Sequence, residues 1–142
     1  MQSSAPTACP GGAPRGRILV VEDDPEAALF AAYALEKRGR FSVTHTSDPV
    51  RALALAAAEP WDLALTDLDL PFISGAELIA ALRTVAPKLP VILLTAHPRA
   101  EFAGADACRP DGLLVKPVSA ERLLAAAVTL TAGEPPSDDI AP

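Results

Sequence analysis

Carboxylate, hydroxyl and ammonium groups occur at four places in this sequence, each directly after a short apolar run. They are Glu22, Asp23 and Asp24; Asp67 and Asp69; Thr95; and Lys116. An aspartate can act as a nucleophile and carry an aspartyl phosphate. Mg²⁺ prefers hard oxygen ligands and retains several waters, so one or two carboxylates and a phosphoryl oxygen can hold it. A lysine and a hydroxyl can neutralise and align the other phosphoryl oxygens. The set therefore predicts phosphoryl transfer to a carboxylate.

The apolar runs before these groups have the length and composition of buried parallel strands. Five strands are predicted, over Arg17–Val21, Phe41–His45, Asp62–Thr66, Val91–Leu94 and Gly112–Val115. Helix-like segments alternate with them, which predicts an α/β fold with a mainly parallel sheet covered by helices on both faces. Ligands bind at the carboxyl ends of the strands in such a sheet, so we expect the four groups to converge there.

Capping residues indicate where the helices begin. The signals are Asp24 with Pro25, Asp48 with Pro49, the capping box of Ser74 with Glu77, and Ser119. In the second helix, the spacing of Val50, Leu53 and Ala56 predicts that these side chains face the core. Residues 98–110 contain prolines and a glycine but few large apolar side chains, so a helix there should be short and loosely packed.

The length of 142 residues predicts one domain, and the ends, 1–16 and 132–142, lack a periodic apolar face and should be disordered. The net charge of −6 and the absence of a Lys/Arg cluster argue against direct nucleic-acid binding. Cys9 and Cys108 form neither a disulfide framework nor a metal-binding spacing. No apolar run approaches the ~20 residues that span a bilayer, and no signal pattern is present, so we expect a cytoplasmic protein without membrane insertion.

Four motifs make the sequence similar to the receiver domains of bacterial two-component response regulators. They are ILVVEDD at 18–24, DLALTDLDLP at 62–71 followed by Gly75, ILLTA at 92–96 and LVKP at 114–117. The resemblance covers residues 17–131, which we take as the receiver domain. It implies a flavodoxin-like (βα)₅ fold with strand order 2-1-3-4-5.

The resemblance also implies a role for each matching residue. These roles are Asp67 as the phosphoacceptor, Glu22 and Asp23 as the acidic pair with Asp23 the direct Mg²⁺ ligand, the backbone carbonyl of Asp69 as a further metal ligand, Thr95 as the switch hydroxyl, Lys116 as the ion-pairing lysine, and Pro117 as the residue after a cis peptide bond. The sequence alone does not decide whether that bond is cis or trans, because cis is the minority state even before proline.

One position departs from the family pattern. Three residues before the lysine the family usually has a tyrosine or phenylalanine that follows the switch hydroxyl, and here the residue is Leu113. The aromatic relay is therefore in doubt, and we hypothesise that residues 98–112 become ordered or shift instead.

The implied phosphodonor is a histidine kinase or a histidine phosphotransfer protein. With no room in 142 residues for a DNA-binding domain, the output is expected to pass through a downstream protein effector or a homodimer contact. Intrinsic phosphotransfer and autodephosphorylation are the only activities expected. The alternative is a pseudo-receiver that acts as an interaction module without phosphorylation. A haloacid-dehalogenase-type enzyme is disfavoured, because its Asp-x-Asp motif precedes the other acidic ligands and here Glu22 and Asp23 come first.

Overall fold

The computed structural model describes residues 15–68, 70, 73–96 and 110–131. Five parallel strands form one sheet in the order β2-β1-β3-β4-β5. Their bounds are β1 Arg17–Val21, β2 Ser42–Thr46, β3 Leu63–Asp67, β4 Val91–Thr95 and β5 Gly112–Val115. The predicted parallel sheet and its strand order are confirmed, and no predicted strand end is off by more than one residue.

Four helices pack on this sheet in the described part of the chain. They are α1 Pro25–Tyr33, continued by a π-helical stretch Ala34–Arg38, α2 Pro49–Ala58, α3 Gly75–Val85 and α4 Ala120–Thr131. The predicted capping residues accept the expected hydrogen bonds. Asp24 accepts from the Glu26 amide, Asp48 accepts from the Val50 amide, and Ser74 and Glu77 form the capping box. The helix starts are therefore set by local side-chain chemistry.

The helices form two layers, each with its own hydrophobic core. α1 and α4 cover one face of the sheet around Leu35 and Leu123, while α2 and α3 cover the other around Leu78 and Leu82. β1, β3 and β4 lie between the two layers, and β3 and β4 are buried along their whole length. Burial on both faces explains why these strands are continuous apolar runs.

One expectation about α2 is wrong. Val50 is 73% exposed and does not face the core, whereas Pro49, Ala52 and Ala56 are buried and Leu53 is half-buried. The helix is rich in alanine, so several faces are apolar enough to pack. Contact with β1 and α3 selects the alanine face.

Several expectations concern residues that the structure does not describe. The short helix predicted in 98–110 falls almost wholly on residues 97–109, and the tail 132–142 and residues 1–14 of the leader 1–16 are likewise not described. Residues 15 and 16 are described, and each is hydrogen-bonded at 2.8 Å: the Arg15 amide donates to the Arg40 carbonyl, and the Gly16 carbonyl accepts from the Ser42 amide. The domain limits 17 and 131 stay predictions. Within the described residues, no helix is both long and apolar enough to cross a membrane.

Candidate functional site

Lys116 joins two carboxylates at the carboxyl edge of the sheet. Its Nζ lies 3.0 Å from Oδ1 of Asp67 and 3.7 Å from Oε1 of Glu22. Asp67 is the last residue of β3, Glu22 directly follows β1, and Lys116 directly follows β5. The Glu22 side chain is 3% exposed and that of Asp67 is 12% exposed, whereas Lys116 is 30% exposed and remains reachable from solvent. Three of the predicted site residues therefore meet at one point.

The chain around Glu22 is held by three hydrogen bonds. The Glu22 amide donates to the carbonyl of Thr46 at 3.1 Å, and the Glu22 carbonyl lies 2.8 Å from Nε2 of His45. The carboxylate Oε2 accepts from the Asp24 amide at 3.1 Å. β2 and the β1–α1 loop thus fix both the backbone and the carboxylate of Glu22.

The pKa values of Glu22 and Lys116 reflect their burial and the excess of carboxylates over ammonium groups at the site. Burial raises the pKa of Glu22, and the neighbouring Asp67 carboxylate raises it further, against the opposing effects of the Asp24 amide and Lys116. Burial alone would lower the pKa of Lys116. The hydrogen bond to Asp67 and the charge of Glu22 outweigh it, so the net shift is upward. Lys116 is therefore a firmly protonated cation, while Glu22 bears a cost for its charge.

Thr95 ends β4 and is fully buried next to this cluster. Its backbone carbonyl accepts a hydrogen bond from the Lys116 amide at 2.7 Å, which ties the ends of β4 and β5 together. On the neighbouring strand β3, the Thr66 hydroxyl donates to the Asp67 carbonyl at 3.1 Å. Thr95 therefore lies at the strand end beside Lys116, as the sequence predicts.

The Lys116–Pro117 peptide bond is cis, as the resemblance implied. Leu113 lies on β5 opposite Leu93 in the strand register and is 39% exposed. The side chain at the aromatic position is thus an aliphatic one at the surface of the edge strand.

A metal ion would find part of its ligand set in the described residues. No group of three His, Cys, Asp or Glu side chains there is arranged to hold a metal. Two buried carboxylates nevertheless share a single ammonium, with exposed Asp23 and Asp24 beside them. Oxygen donors with this excess of negative charge fit a hard divalent cation. Asp69, whose carbonyl is the predicted third ligand, lies outside the described residues.

Two residues shape the site through contacts that the sequence did not predict, although Gly75 follows one of the four motifs. His45 contacts the backbone of Glu22, and Gly75 packs so closely on β3 that an added Cβ would lie 2.7 Å from the Asp67 carbonyl oxygen. A polar ring at the end of a predicted strand and a glycine at the start of a helix were the available signals. Neither shows which backbone atom it meets.

Comparison with known proteins agrees with the fold. A family model, the response regulator receiver domain, matches residues 18–128. The chain belongs to this family. It is a receiver domain of the response regulators that act in two-component signalling.

The curated relatives of this receiver domain are response regulators of several lengths. The transcriptional regulatory protein AlgB of alginate biosynthesis in Pseudomonas aeruginosa is 36% identical over 115 residues, which are 80% of this chain and 25% of AlgB. The response regulator receiver protein CpdR of Brucella abortus is 34% identical over 102 residues, which are 71% of this chain and 84% of CpdR. The chain spans about half or less of the length of most such relatives. Transcriptional regulation is a property of those longer proteins as wholes.

Solved receiver domains share the architecture. The receiver domain of the sensor histidine kinase PA1611 from Pseudomonas aeruginosa superposes with a TM-score of 0.74 at 24% identity, over 82% of this chain and 98% of that one. That structure has a magnesium ion coordinated in its active-site cleft. The likeness confirms the CheY-like fold of the receiver domain.

Proposed function

We propose that this receiver domain accepts a phosphoryl group on Asp67, with Mg²⁺ bound beside it, and transmits the phosphorylated state to a partner protein. The observation that supports this most directly is the ion pair between Lys116 Nζ and Asp67 Oδ1 at 3.0 Å, with the buried Glu22 carboxylate 3.7 Å from the same ammonium. Two buried carboxylates that share a single ammonium are costly to the fold, and such a cost is typical of a site that serves a further charge.

The reaction follows from the positions of these side chains. The phosphodonor is a phosphohistidine of a histidine kinase or a histidine phosphotransfer protein. A carboxylate oxygen of Asp67 forms a bond to phosphorus while the bond from phosphorus to the histidine nitrogen breaks, and the imidazole leaves. Lys116 orients the carboxylate and then pairs with a phosphoryl oxygen, and the hydroxyl of Thr95 binds a second one. Asp23, Asp67 and the backbone carbonyl of Asp69 would hold Mg²⁺, with Glu22 as their acidic partner, and the bound ion would supply neutralising charge for the remaining phosphoryl oxygen.

The proposal includes loss of the phosphoryl group by hydrolysis, which returns Asp67 to its carboxylate form and ends the signal. No other catalytic activity is proposed. Because histidine phosphodonors obtain their phosphoryl group from ATP, we propose that the protein acts in the cytoplasm.

A docking face for the phosphodonor adjoins the pocket. α1 begins directly after Asp24, and its outward side presents Leu29, Phe30 and Tyr33, of which Leu29 is 71% exposed. Adjacent exposed apolar side chains of this size are typical of a protein interaction site. We therefore propose that the histidine protein packs on α1 so that its phosphohistidine faces Asp67.

The output is proposed to leave through residues 98–112 and the adjoining β5, toward a protein effector or a second copy of the chain. Exposure of Leu113 supports a surface signal that uses no aromatic relay. The same observation favours the second candidate function, a pseudo-receiver that binds partners without phosphorylation.

Mass spectrometry after incubation with acetyl phosphate and Mg²⁺ separates the two functions. The phosphoryl mass should appear on the unmodified chain and be lost in Asp67→Asn. Asp48→Asn is the matched control, because asparagine caps a helix about as well as aspartate and Asp48 has no proposed role in transfer. A chain that gains no phosphoryl mass under these conditions would be a pseudo-receiver.

A further inference from the structure

His45 lies outside the four motifs and contacts the acidic loop, residues 22–24, directly. Its Nε2 lies 2.8 Å from the backbone carbonyl oxygen of Glu22. Because a carbonyl oxygen only accepts hydrogen bonds, Nε2 must be the donor and carry the proton. This contact joins residues 23 positions apart, from the end of the edge strand β2 to the start of the loop after β1.

We propose that His45 is a positioning residue that sets the direction of the acidic loop and thereby its affinity for Mg²⁺. The inference rests on the proposed function of the pocket. It concerns a residue that lies outside the phosphoacceptor, acidic, hydroxyl and lysine positions.

The backbone geometry shows how His45 can act at a distance. The Glu22 carbonyl and the Asp23 N–H belong to the same planar peptide unit, so fixing one fixes the orientation of the other. The Glu22 amide on the other side is bonded to the Thr46 carbonyl. Two successive residues of β2 thus hold both backbone polar groups of Glu22, and the peptide that leads into Asp23 cannot rotate freely.

The exposure of His45 separates this role from a general contribution to stability. The residue is exposed near the end of an edge strand, and it is not a member of either hydrophobic core. Loss of an exposed ring at a strand end removes little packing. Its hydrogen bond should therefore matter more to the loop than to the fold.

The test is a titration of the ¹⁵N-labelled full chain with MgCl₂, followed by NMR through the amides of Asp23 and Asp24. His45→Phe keeps a ring but has no donor, and should weaken Mg²⁺ binding about threefold, the effect of one lost hydrogen bond. His45→Gln places an amide donor where Nε2 lies and should restore binding to within a factor of about two of the unmodified chain. Thermal unfolding of each variant is measured in parallel without metal.

Each result decides the matter. Weak binding by His45→Phe with rescue by His45→Gln supports the positioning role. Equal affinities in all three chains, equal losses in both variants, or a lower unfolding temperature at unchanged affinity would overturn it. If the unmodified chain shows no Mg²⁺-dependent shifts and gains no phosphoryl mass, the proposed function itself fails. If the unmodified chain shows these shifts and gains the phosphoryl mass while His45→Phe binds Mg²⁺ normally, only this inference fails.

Discussion

At the scale of single residues, the site is defined by one cation among several anions. Lys116 contacts Asp67 and Glu22, and burial makes the charge of Glu22 costly. Removing the ammonium would leave two carboxylates facing each other in a largely buried pocket. The cost of an unpaired buried charge is larger than the benefit of a surface ion pair. Lys116 should therefore matter for stability as well as for phosphoryl transfer.

Lys116→Met should lower the free energy of unfolding of the metal-free protein by about 1 kcal/mol near pH 7, a value reduced for the partial exposure of the lysine. The partners of Lys116 raise its pKa in the folded state, so this contribution is complete below the unfolded-state pKa of about 10.4. It is lost as pH rises through the folded-state pKa. The difference in the free energy of unfolding between the variant and the unmodified chain should thus become smaller above pH about 10.5. Urea unfolding from pH 7 to 11 measures it.

The matched control is Arg38→Met, which breaks the exposed Arg38–Glu121 pair at 3.4 Å. An exposed pair contributes little, so this variant should unfold almost like the unmodified chain. If Lys116→Met were equally neutral at pH 7, the charge argument for the pocket would be wrong.

At the scale of elements, the contact of α3 with the end of β3 sets the position of Asp67, the proposed phosphoacceptor. The Gly75 amide donates to the Leu68 carbonyl at 2.7 Å, and the first turn of α3 packs directly against the end of β3. A Cβ at Gly75 would lie 2.7 Å from the Asp67 carbonyl oxygen and 2.8 Å from the Leu68 Cα. Both contacts are to backbone, which cannot swing away as a flexible side chain can.

Gly75→Ala should therefore destabilise the protein by about 1–3 kcal/mol, the usual cost of overpacking, and slow phosphoryl uptake by displacing Asp67. Denaturant unfolding and the rate of mass gain from acetyl phosphate measure the two effects. Gly112→Ala is the control, because its Cβ would lie 3.4 Å from Cγ1 of Ile92, an ordinary contact. A Gly75→Ala chain as stable and as fast as Gly112→Ala would contradict the close packing of α3 on β3.

At the scale of the whole molecule, the two helical layers offer different surfaces to partners. α1 and α4 cover one face of the sheet, α2 and α3 the other. Exposed large apolar side chains occur on both, with Leu29, Phe30 and Tyr33 adjacent on α1 and Val50 alone at the start of α2. A contiguous patch is an interaction site more often than an isolated side chain is.

Leu29→Ser should slow transfer from a phosphorylated histidine protein about tenfold, as expected for a central apolar contact, and leave phosphorylation by acetyl phosphate unchanged. The measurement is the rate of label transfer from a histidine phosphotransfer protein that labels the unmodified chain. Val50→Ser is matched in exposure, at 73% against 71%, and lies in the other layer, so it should transfer normally. Equal slowing in both variants would argue against docking on α1.

The residues alone were enough to place the five strands and the starts of the helices. Buried parallel strands are continuous apolar runs, and caps depend on one side chain and the amides beside it, so both signals are local. The capping box of Ser74 and Glu77 was predicted from a spacing of three residues and occurs as predicted. The strand order came from the resemblance, because periodicity does not specify which strands are neighbours.

The tertiary structure decided which side chains meet. Val50 and Ala52 are both apolar, and only contact with β1 and α3 placed one outside and the other inside. His45 could have faced solvent or core, and it was the pairing of β2 with β1 that brought it to the Glu22 carbonyl. The sequence by itself determined which chemical groups stand at each strand end. Their distances depend on packing between elements far apart in the chain, which no local pattern records.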